Sequence, residues 1–344
     1  MKNQDFSNRR TEFFAANSKV VRTIPLGGKL KQLSVVMRGT LHVAAGGGVA
    51  GTALYAEAWA GLIQRIRVRL SKADGSRYPD GIVRDYDPRT ILRRAMFYRH
   101  KYYADLLGTA FSDAVADYNL FYVFPIYFAD PELKRPIETA LNLDESAYKN
   151  CQVEIDCGSR DTCVTGSSRT WTYGDLFFDF IDDREAVDGD TYVVFETDHE
   201  IIINAAQQRY EDKAMPVDGS LLDIFIRTLT GKTGSTSVLV NTILNKLSVA
   251  GSNGDFELNA LDLQAAMYDY GEIDVDQAVT GHYRLNFVRD GMLSKLVPAP
   301  GLQMHYDINN PSGAGGDSML VSVRRAFQPA AYQPIARGVP ARNT

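Results

Sequence analysis

The chain has 344 residues, 45% of them hydrophobic, and a formal net charge of −5. This length allows two domains of ordinary size, each with its own core. The acidic balance excludes a surface built throughout for nucleic acid, which needs clustered Lys and Arg, so we expect no sequence-specific nucleic-acid binding. No apolar run reaches the roughly 18 to 20 residues of a membrane-spanning helix, and the N-terminus lacks the apolar core of a secretion signal. We therefore expect a soluble protein made in the cytoplasm.

Short apolar or alternating segments, bounded by Gly, Asp, Asn or Pro, follow one another along most of the chain, which is typical of strands in a β-sandwich or barrel. In chain order the predicted strands are Leu33–Val43, Ile63–Leu70, Leu120–Phe128, Tyr192–Glu196, Glu200–Asn204, Leu221–Leu229, Val238–Val249, Tyr283–Val288 and Met319–Val323. In the second of these, alternation places Arg65, Arg67 and Arg69 on one face. These arginines could contact nucleic acid or an acidic neighbour, or form a solvated strand face with Asp partners nearby.

Helical pattern occurs once in each half of the chain. Asp87 and Pro88 open a helix that extends to about Leu107, and Asn259 opens another that extends to about Asp269. An α/β fold would need a helix between most pairs of strands. The pattern therefore indicates an all-β fold made of two-sheet sandwiches, each with a short inserted helix.

One short sequence pattern occurs twice along the chain, with its residues in the same order. The matched residues are Pro25, Gly28 and Leu30 in the first half and Pro216, Gly219 and Leu221 in the second. Further matches follow, and the offset between the copies falls from 191 residues to 160 toward the C-terminus. A co-linear series of this kind is what one fold copied twice, with shorter loops in the second copy, would leave.

The repeat predicts two similar domains, at residues 18–158 and 190–327. Between them, residues 159–189 contain the aromatic run Leu176–Ile181, which argues for a packed connector because flexible linkers are rich in Gly and Ser. The flanking segments, residues 1–17 and 328–344, have little strand pattern. We expect both to be ordered only by contacts with neighbours.

Three local patterns resemble binding motifs but lack their spacing. Gly231-Lys232-Thr233 would need a Gly five residues earlier to form a phosphate loop, and Ile226 stands there, so a hairpin turn is the prediction. The run 46–48 of three glycines has no helix after it, as a dinucleotide site requires. The acidic residues of 182–190 do not fit the twelve-residue loop of an EF-hand, which leaves either another cation site or a solvated turn.

Cysteines and histidines have no spacing that indicates a metal or catalytic site. Three cysteines are too few for a four-ligand zinc site and are expected to be reduced thiols; they are Cys151, Cys157 and Cys163. The five histidines contain no His-x-His pair, which argues against a two-domain cupin metalloenzyme; they are His42, His100, His199, His282 and His305. We expect no cofactor and no enzymatic activity, although a Ser-His-Asp relay is spatial and stays open.

Four segments together resemble a known family in pattern and order. They are Arg22–Leu30, Leu33–Thr40, Ala60–Val68 and Tyr86–Pro88, the last of which begins the first inserted helix. The chain resembles the double jelly-roll major capsid proteins of tailless icosahedral viruses, particularly membrane-containing bacteriophages of the tectivirus, corticovirus and adenovirus lineage. Through the duplication, the resemblance covers nearly the whole chain.

The resemblance implies two tandem eight-stranded jelly rolls per chain and a homotrimer in which six jelly rolls give a pseudo-hexagonal outline. It further implies a capsid function in the virion, with assembly in the host cytoplasm and with neighbouring capsomers and a vertex (penton) protein as partners. In that family, terminal arms reach neighbouring trimers or an internal viral membrane. The matching residues here are Arg9, Arg10, Phe13 and Phe14, since cations with aromatics suit an anionic lipid surface; a disordered tail is the alternative.

Two other classes of protein stay open. A β-sandwich virion spike or carbohydrate-binding protein would expose clustered aromatics around a groove, whereas the chain has only two tryptophans, Trp59 and Trp171, and its tyrosines are dispersed among strands. A bicupin-type metalloenzyme is the third possibility. A metal analysis that found a stoichiometric transition metal in the protein would favour it.

Overall fold

The computed structural model describes most of the chain. The described residues are 10–46, 49, 53–54, 57–99, 110–186, 189–203, 208–216, 218–230, 238–251, 256–269, 280–288, 290–293, 296–309 and 316–328. Within these residues the chain forms two β-sandwiches, one after the other, and each contains one inserted helix of 10 or 12 residues. In the described residues, no helix is both long and apolar enough to cross a membrane.

The first sandwich contains eleven strands within the described residues. They are β1 (Arg10–Phe13), β2 (Lys19–Ile24), β3 (Lys29–Ala44), β4 (Ala53–Leu54), β5 (Ile63–Lys72), β6 (Gly81–Tyr86), β7 (Ala116–Tyr127), β8 (Leu141–Asn142), β9 (Tyr148–Cys157), β10 (Val164–Thr165) and β11 (Thr170–Glu185). Its helices are α1 (Trp59–Leu62) and α2 (Pro88–Arg99), and 3-10 turns occur at Pro136–Thr139 and Arg160–Thr162.

The second sandwich contains ten strands within the described residues. They are β12 (Val193–Ile203), β13 (Arg209–Glu211), β14 (Ser220–Thr230), β15 (Val238–Leu239), β16 (Leu244–Ala250), β17 (Phe256–Asn259), β18 (His282–Asn286), β19 (Val297–Pro298), β20 (Gln303–Ile308) and β21 (Asp317–Phe327). Its helix is α3 (Ala260–Asp269).

Both sandwiches have the same order of strands. In the first, a sheet of order β1-β11-β3-β7 packs on one of order β6-β5-β9-β2. In the second, β12-β21-β14-β18 packs on β17-β16-β20-β13, and α3 lies between β17 and β18 as α2 lies between β6 and β7. Eight main strands per sandwich in matching order confirm the predicted duplication.

Alternation along the strands builds each core. In β3, Leu33, Val35 and Met37 are fully buried, and in β5 Ile66 and Val68 meet them from the facing sheet. Burying a side chain of this size stabilises a fold by roughly 1.5–3 kcal/mol. The inner faces of the second sandwich form an equivalent but separate core.

The predicted helix boundaries agree with the structure where they are described. The helix after Asn259 is α3, which confirms that prediction. The first inserted helix begins at Pro88 and is described to Arg99, whereas the predicted continuation to about Leu107 lies outside the described residues.

Two strand predictions differ from the structure. The predicted pair Tyr192–Glu196 and Glu200–Asn204 is one strand, β12, because its central polar residues have partners there: His199 bonds Asp212 at 2.9 Å. The predicted strand Val238–Val249 is divided into β15 and β16. Asn241 lies in the break, where its side-chain oxygen accepts the Gly281 backbone N–H at 2.6 Å.

Part of the predicted connector, residues 159–189, is a strand of the first sandwich. β11 pairs with β3 from Thr170 opposite Ala44 to Glu185 opposite Lys29. Its aromatic residues alternate, so that Phe178 and Phe180 are buried in the core. The sandwich also reaches into the predicted arm 1–17, since β1 pairs with β11. The aromatic run is therefore core rather than linker.

The two sandwiches share a sheet. β6 of the first pairs in parallel with β12 of the second, with Arg84 opposite Glu196 and Asp85 opposite Thr197. This pairing joins their strands into one ten-stranded sheet. α2 lies at the same junction, in contact with β5, β6 and β7 of its own sandwich, and its arginines reach the second sandwich.

Candidate functional site, the ionic interface between the sandwiches

A buried group of charges lies between the sandwiches. We call it the ionic cluster; the first sandwich provides Arg94, Asp130 and Glu132, and the second provides Glu196, Asp223, Arg284 and Arg324. All but Glu132 are no more than 3% exposed, and the Glu132 side chain is 19% exposed. Three arginines form ion pairs with the four carboxylates, and buried charges are tolerated when they are paired in this way.

Strand alternation in the second sandwich places these charges on one face. In β14, Ile224 and Ile226 point into the core, so Asp223 and Phe225 point outward. α2 covers this outer face, and its Arg94 guanidinium lies 5.6 Å from the centre of the Phe225 ring. An outward charge on β14 is therefore as buried as the core.

Asp223 lies at the centre of the ionic cluster and is 0% exposed. It receives a bidentate pair of bonds from Arg94, both 3.0 Å long, and further bonds from Arg284 at 2.7 Å and Arg324 at 3.2 Å. Burial alone would raise the pKa of this carboxyl, but the charges of Arg94, Arg324 and Arg284 outweigh burial and hold the pKa far below its ordinary value. The three arginines therefore hold Asp223 in its ionised form.

The other pairs also cross between the sandwiches. Arg284 binds Glu132, with Nη1 to Oε1 at 2.6 Å, while Arg324 binds Asp130 and Arg94 binds Glu196. Burial opposes the charge on Arg94, yet Asp223 and Glu196 raise its pKa above the ordinary value. Since planar guanidinium groups suit bidentate pairing with carboxylates, the cluster holds the two sandwiches in one relative orientation.

Asp198 lies beside the cluster without an arginine directly on its carboxylate in the described contacts. Its Oδ2 accepts the Asp87 backbone N–H at 2.9 Å, and Arg65 donates to its backbone oxygen at 2.6 Å. Burial, followed by the negative charge of Glu196, raises the pKa of Asp198 to about 7. This carboxyl is the member of the interface that titrates near neutral pH.

The arrangement is suited to holding the two sandwiches together. Each carboxylate of the cluster forms an ion pair with an arginine, which fixes its position at the interface. No group of three or more His, Cys, Asp or Glu in the described residues is placed to hold a metal ion. The cysteines are free and buried, and burial raises the pKa of Cys151 to about 12 and that of Cys157 to about 11, which keeps them as thiols.

The residues expected to contact a membrane or neighbour differ in their exposure where the structure describes them. Arg9 lies outside the described residues, and Arg10 begins β1. Phe13 is 73% exposed, whereas Phe14 is only 6% exposed and packs on Tyr173 with ring centres 5.2 Å apart. Because neighbouring residues of a strand point to opposite faces, Phe14 belongs to the core and Phe13 is open to a partner.

The arginines of β5 have acidic partners in the same sheet. Arg65 bonds Asp85 at 2.6 Å, Arg67 bonds Asp156 at 2.6 Å, and Arg69 bonds Glu154 at 3.1 Å. These pairs match the predicted alternative of a solvated strand face. Of the other motifs, 231–233 and Gly47-Gly48 lie outside the described residues.

The acidic run 182–190 also has cationic partners. Asp182 bonds Arg184 at 2.6 Å, and Asp183 lies 3.2 Å from Lys31. Asp190 pairs with Arg77, which lowers the pKa of its carboxyl.

Sequence reasoning missed the ionic cluster, although a signal existed. Asp223 and Arg227 stand in the apolar strand Leu221–Leu229, and Arg324 follows Val323 in another. A charge in an otherwise apolar strand indicates a buried face with a partner of opposite charge. Which residue is the partner depends on contacts between 61 and 194 positions apart in sequence.

Two eight-stranded sandwiches of identical strand order define the fold as a double jelly roll. The structure is similar to the major capsid protein of STIV, the Sulfolobus turreted icosahedral virus, with a TM-score of 0.63 and 12% identity over 96% of this chain and 100% of that one. The major capsid protein of bacteriophage PM2 gives a TM-score of 0.57 and 12% identity over 93% and 98% of the two chains. The Faustovirus major capsid protein gives 0.60 and 8% over 93% and 90%.

The similarity to these proteins lies in the structure rather than in the sequence. No protein-family model matches the chain, and a comparison with curated proteins found no match. The fold is the one that the sequence resemblance predicted.

Proposed function

We propose that this chain is the major capsid protein of a tailless icosahedral virus and has no enzymatic activity. The observation that supports this function is the similarity of the whole duplicated fold to capsid proteins of three different viruses. Matches that cover 90% or more of both chains include both jelly rolls and their connection, rather than one common sandwich.

The duplication suits a trimeric building block. Three chains supply six similar sandwiches, so a trimer has a pseudo-hexagonal outline while obeying only threefold symmetry. Such a block tiles a shell only if the two sandwiches of a chain keep a constant angle. The shared sheet and the ionic cluster supply that rigidity.

The partners of the protein in this function are other copies of itself, neighbouring capsomers, a vertex (penton) protein and an internal viral membrane. The shell is part of the virion and assembles in the host cytoplasm. Phe13, exposed on β1, together with Arg9 and Arg10, is the candidate contact with a neighbour or the membrane. Phe14 is not part of this contact because it lies in the core.

The mass of the purified protein in solution tests the function. Light scattering should give a stable trimer, three times the 38.1 kDa of the chain, and electron microscopy should show shells or pseudo-hexagonal particles. A chain that stays monomeric at all concentrations would overturn the proposal.

Removal of the N-terminal segment tests the arm separately. Deleting residues 1–9 in a Phe13→Ser chain removes Arg9 and the exposed ring while β1 and Phe14 stay in place, so trimers should form while assembly of shells fails. Normal shells from the shortened chain would show that the segment has no such role.

A further inference from the structure

One sheet face is covered in the second sandwich and open in the first. In the second, α2 lies on the outer face of β12-β21-β14-β18, where Phe225 and Ser322 are at most 1% exposed. The corresponding outer face of β1-β11-β3-β7 contains Ile181 at 36%, Phe121 at 52% and Phe13 at 73% exposure. Three of the nine large apolar side chains exposed in the described residues thus share this face, which we call the open sheet face.

The two faces correspond residue by residue. The repeat aligns Phe225 of β14 with Ser34 of β3. Ser322 lies opposite Phe225, and Ile181 lies opposite Ser34. Ile181 therefore occupies the position in the first sandwich that Ser322, beside the ionic cluster, occupies in the second. In the same alignment Gln32 takes the place of Asp223.

The inserted helices correspond as well. Leu92 of α2 aligns with Leu263 of α3, and each is buried in the core of its own sandwich. Ala265 then occupies the position of Arg94, on the face that points away from that core. Ala265 is exposed, and Leu261, one helical turn earlier, is 70% exposed.

The outward side chains of each helix match one of the two sheet faces in charge and polarity. Arg94 meets the carboxylate of Asp223 on the covered face, whereas Leu261 and Ala265 match the uncharged positions of Gln32 and Ile181. Placing α2 on the open sheet face would bury Arg94 away from its carboxylates, and placing α3 on the covered face would deprive Asp223 and Glu196 of their bonds from Arg94.

The charges on the open sheet face have partners within the chain. Lys31 lies 3.2 Å from Asp183, and Arg38 lies 2.6 Å from Asp179. A helix that presents Leu261 and Ala265 can therefore cover this face without leaving those charges unpaired.

We propose that α3 of one copy packs on the open sheet face of a second copy, with Leu261 and Ala265 against Ser34 and Ile181. The geometry repeats the packing of α2 on the second sandwich within the chain. The contact joins two different surfaces, so successive copies add in one direction and can close into a ring. The inference rests on the proposed function, because the homotrimer supplies the second copy.

Charge substitution on each side of the contact tests the proposal. In the full-length chain, Leu261→Asp and Ile181→Lys should each raise the dissociation constant of the trimer more than about tenfold, as sedimentation velocity over a dilution series measures. Val21→Asp is the matched control: Val21 is 45% exposed on β2, in the other sheet. That variant should remain trimeric at the wild-type midpoint.

A cross-link tests the contact without disturbing it. The double variant Ala265→Cys with Ile181→Cys, treated with a short bis-maleimide, should give linked dimers and trimers on a reducing denaturing gel. Each single variant, and the pair Ala265→Cys with Val21→Cys, should give monomers. The native cysteines are at most 4% exposed and should not react.

The outcomes separate this inference from the proposed function. If the wild type is trimeric, but the charge variants keep its midpoint and the cysteine pair does not link, copies associate through other surfaces and the inference is wrong while the function stands. A wild type that never associates would instead contradict the proposed function. Should Leu261→Asp or Ile181→Lys lose its fold, as judged by circular dichroism, the cross-link decides the matter.

Discussion

At the scale of single residues, the interface depends on complete pairing of buried charge. Asp223 bonds three arginines, and Arg284 also bonds Glu132 on the other side of the interface. Taking so many charges out of water is costly, and their mutual contacts offset that cost only while every partner is present. The loss of one carboxylate therefore matters more than the loss of one surface ion pair.

Asp223→Asn should lower the free energy of unfolding by about 3–5 kcal/mol, because it keeps the shape of the side chain and leaves three buried guanidinium groups short of negative charge. Chemical denaturation measures the loss. The control is Glu257→Gln, which breaks an exposed pair with Lys246 at 2.8 Å and should leave the midpoint unchanged. Equal effects of the two substitutions would show that the cluster contributes no special stability.

Asp198 should make stability depend on pH. Its pKa is about 7 in the folded chain against an ordinary value of 3.8, so the folded state binds a proton that the unfolded state releases between these values. Stability therefore falls as pH rises from about 4 to about 7. Asp198→Asn should remove this component and be more stable than wild type at about pH 8, as urea midpoints measure. Parallel pH profiles of the two proteins would contradict the assignment.

At the scale of elements, one glycine allows the long strand β3 to pair with β11. The register between them shifts where Thr172 and Asp175 face β3. Gly39, opposite this irregularity, has a φ of 122°, and a Cβ atom there would lie 1.9 Å from the Asp175 backbone oxygen. Only glycine tolerates both the backbone conformation and the close approach.

Gly39→Ala should destabilise the chain by more than about 2 kcal/mol. The strain of a positive φ adds to the overlap of the new Cβ atom with the Asp175 backbone oxygen. Gly174→Ala is a control on the same irregularity, because a Cβ there meets nothing within 4 Å. Thermal unfolding measures both variants. If Gly39→Ala unfolded at the same temperature as Gly174→Ala, the strand pairing would tolerate a Cβ atom at residue 39 and the argument from close approach would be wrong.

Element type was largely predictable, whereas element limits were not. Alternation predicts β3 and β5 correctly, because period-two burial is a local property of a strand, whereas β14 is recognisable from its apolar run and is buried on both faces. The aromatic run 176–181 was assigned to a connector since its composition is equally suited to a packed linker. Its pairing with residues 34–39 is a long-range contact that no local pattern contains.

At the scale of the whole molecule, the two sandwiches depend on each other for the burial of their contact surface. The outer face of β12-β21-β14-β18 is buried only because α2 covers it, and the ten-stranded sheet passes through both sandwiches. Separating them would expose the ionic cluster with its pairs broken. We therefore expect the chain to unfold as one cooperative unit.

The cooperative unfolding of the two sandwiches can be tested with the tryptophans, because Trp59 and Trp171 both belong to the core of the first sandwich. Tryptophan fluorescence should report that sandwich alone, while far-ultraviolet circular dichroism should report both. The two denaturation curves should share one midpoint. Separate midpoints would mean that the sandwiches unfold independently and that the interface is weak.

The order of residues along the chain was enough to predict an all-β duplicated fold, because strand periodicity and a repeated co-linear pattern are properties of sequence. Tertiary structure alone determined the rest: that Asp223 meets Arg94, that Phe14 is core while Phe13 is open, and that equivalent sheet faces are covered in one sandwich and open in the other. The physical reason is that burial and charge pairing depend on which distant surfaces meet, and those surfaces are formed only when both sandwiches have folded.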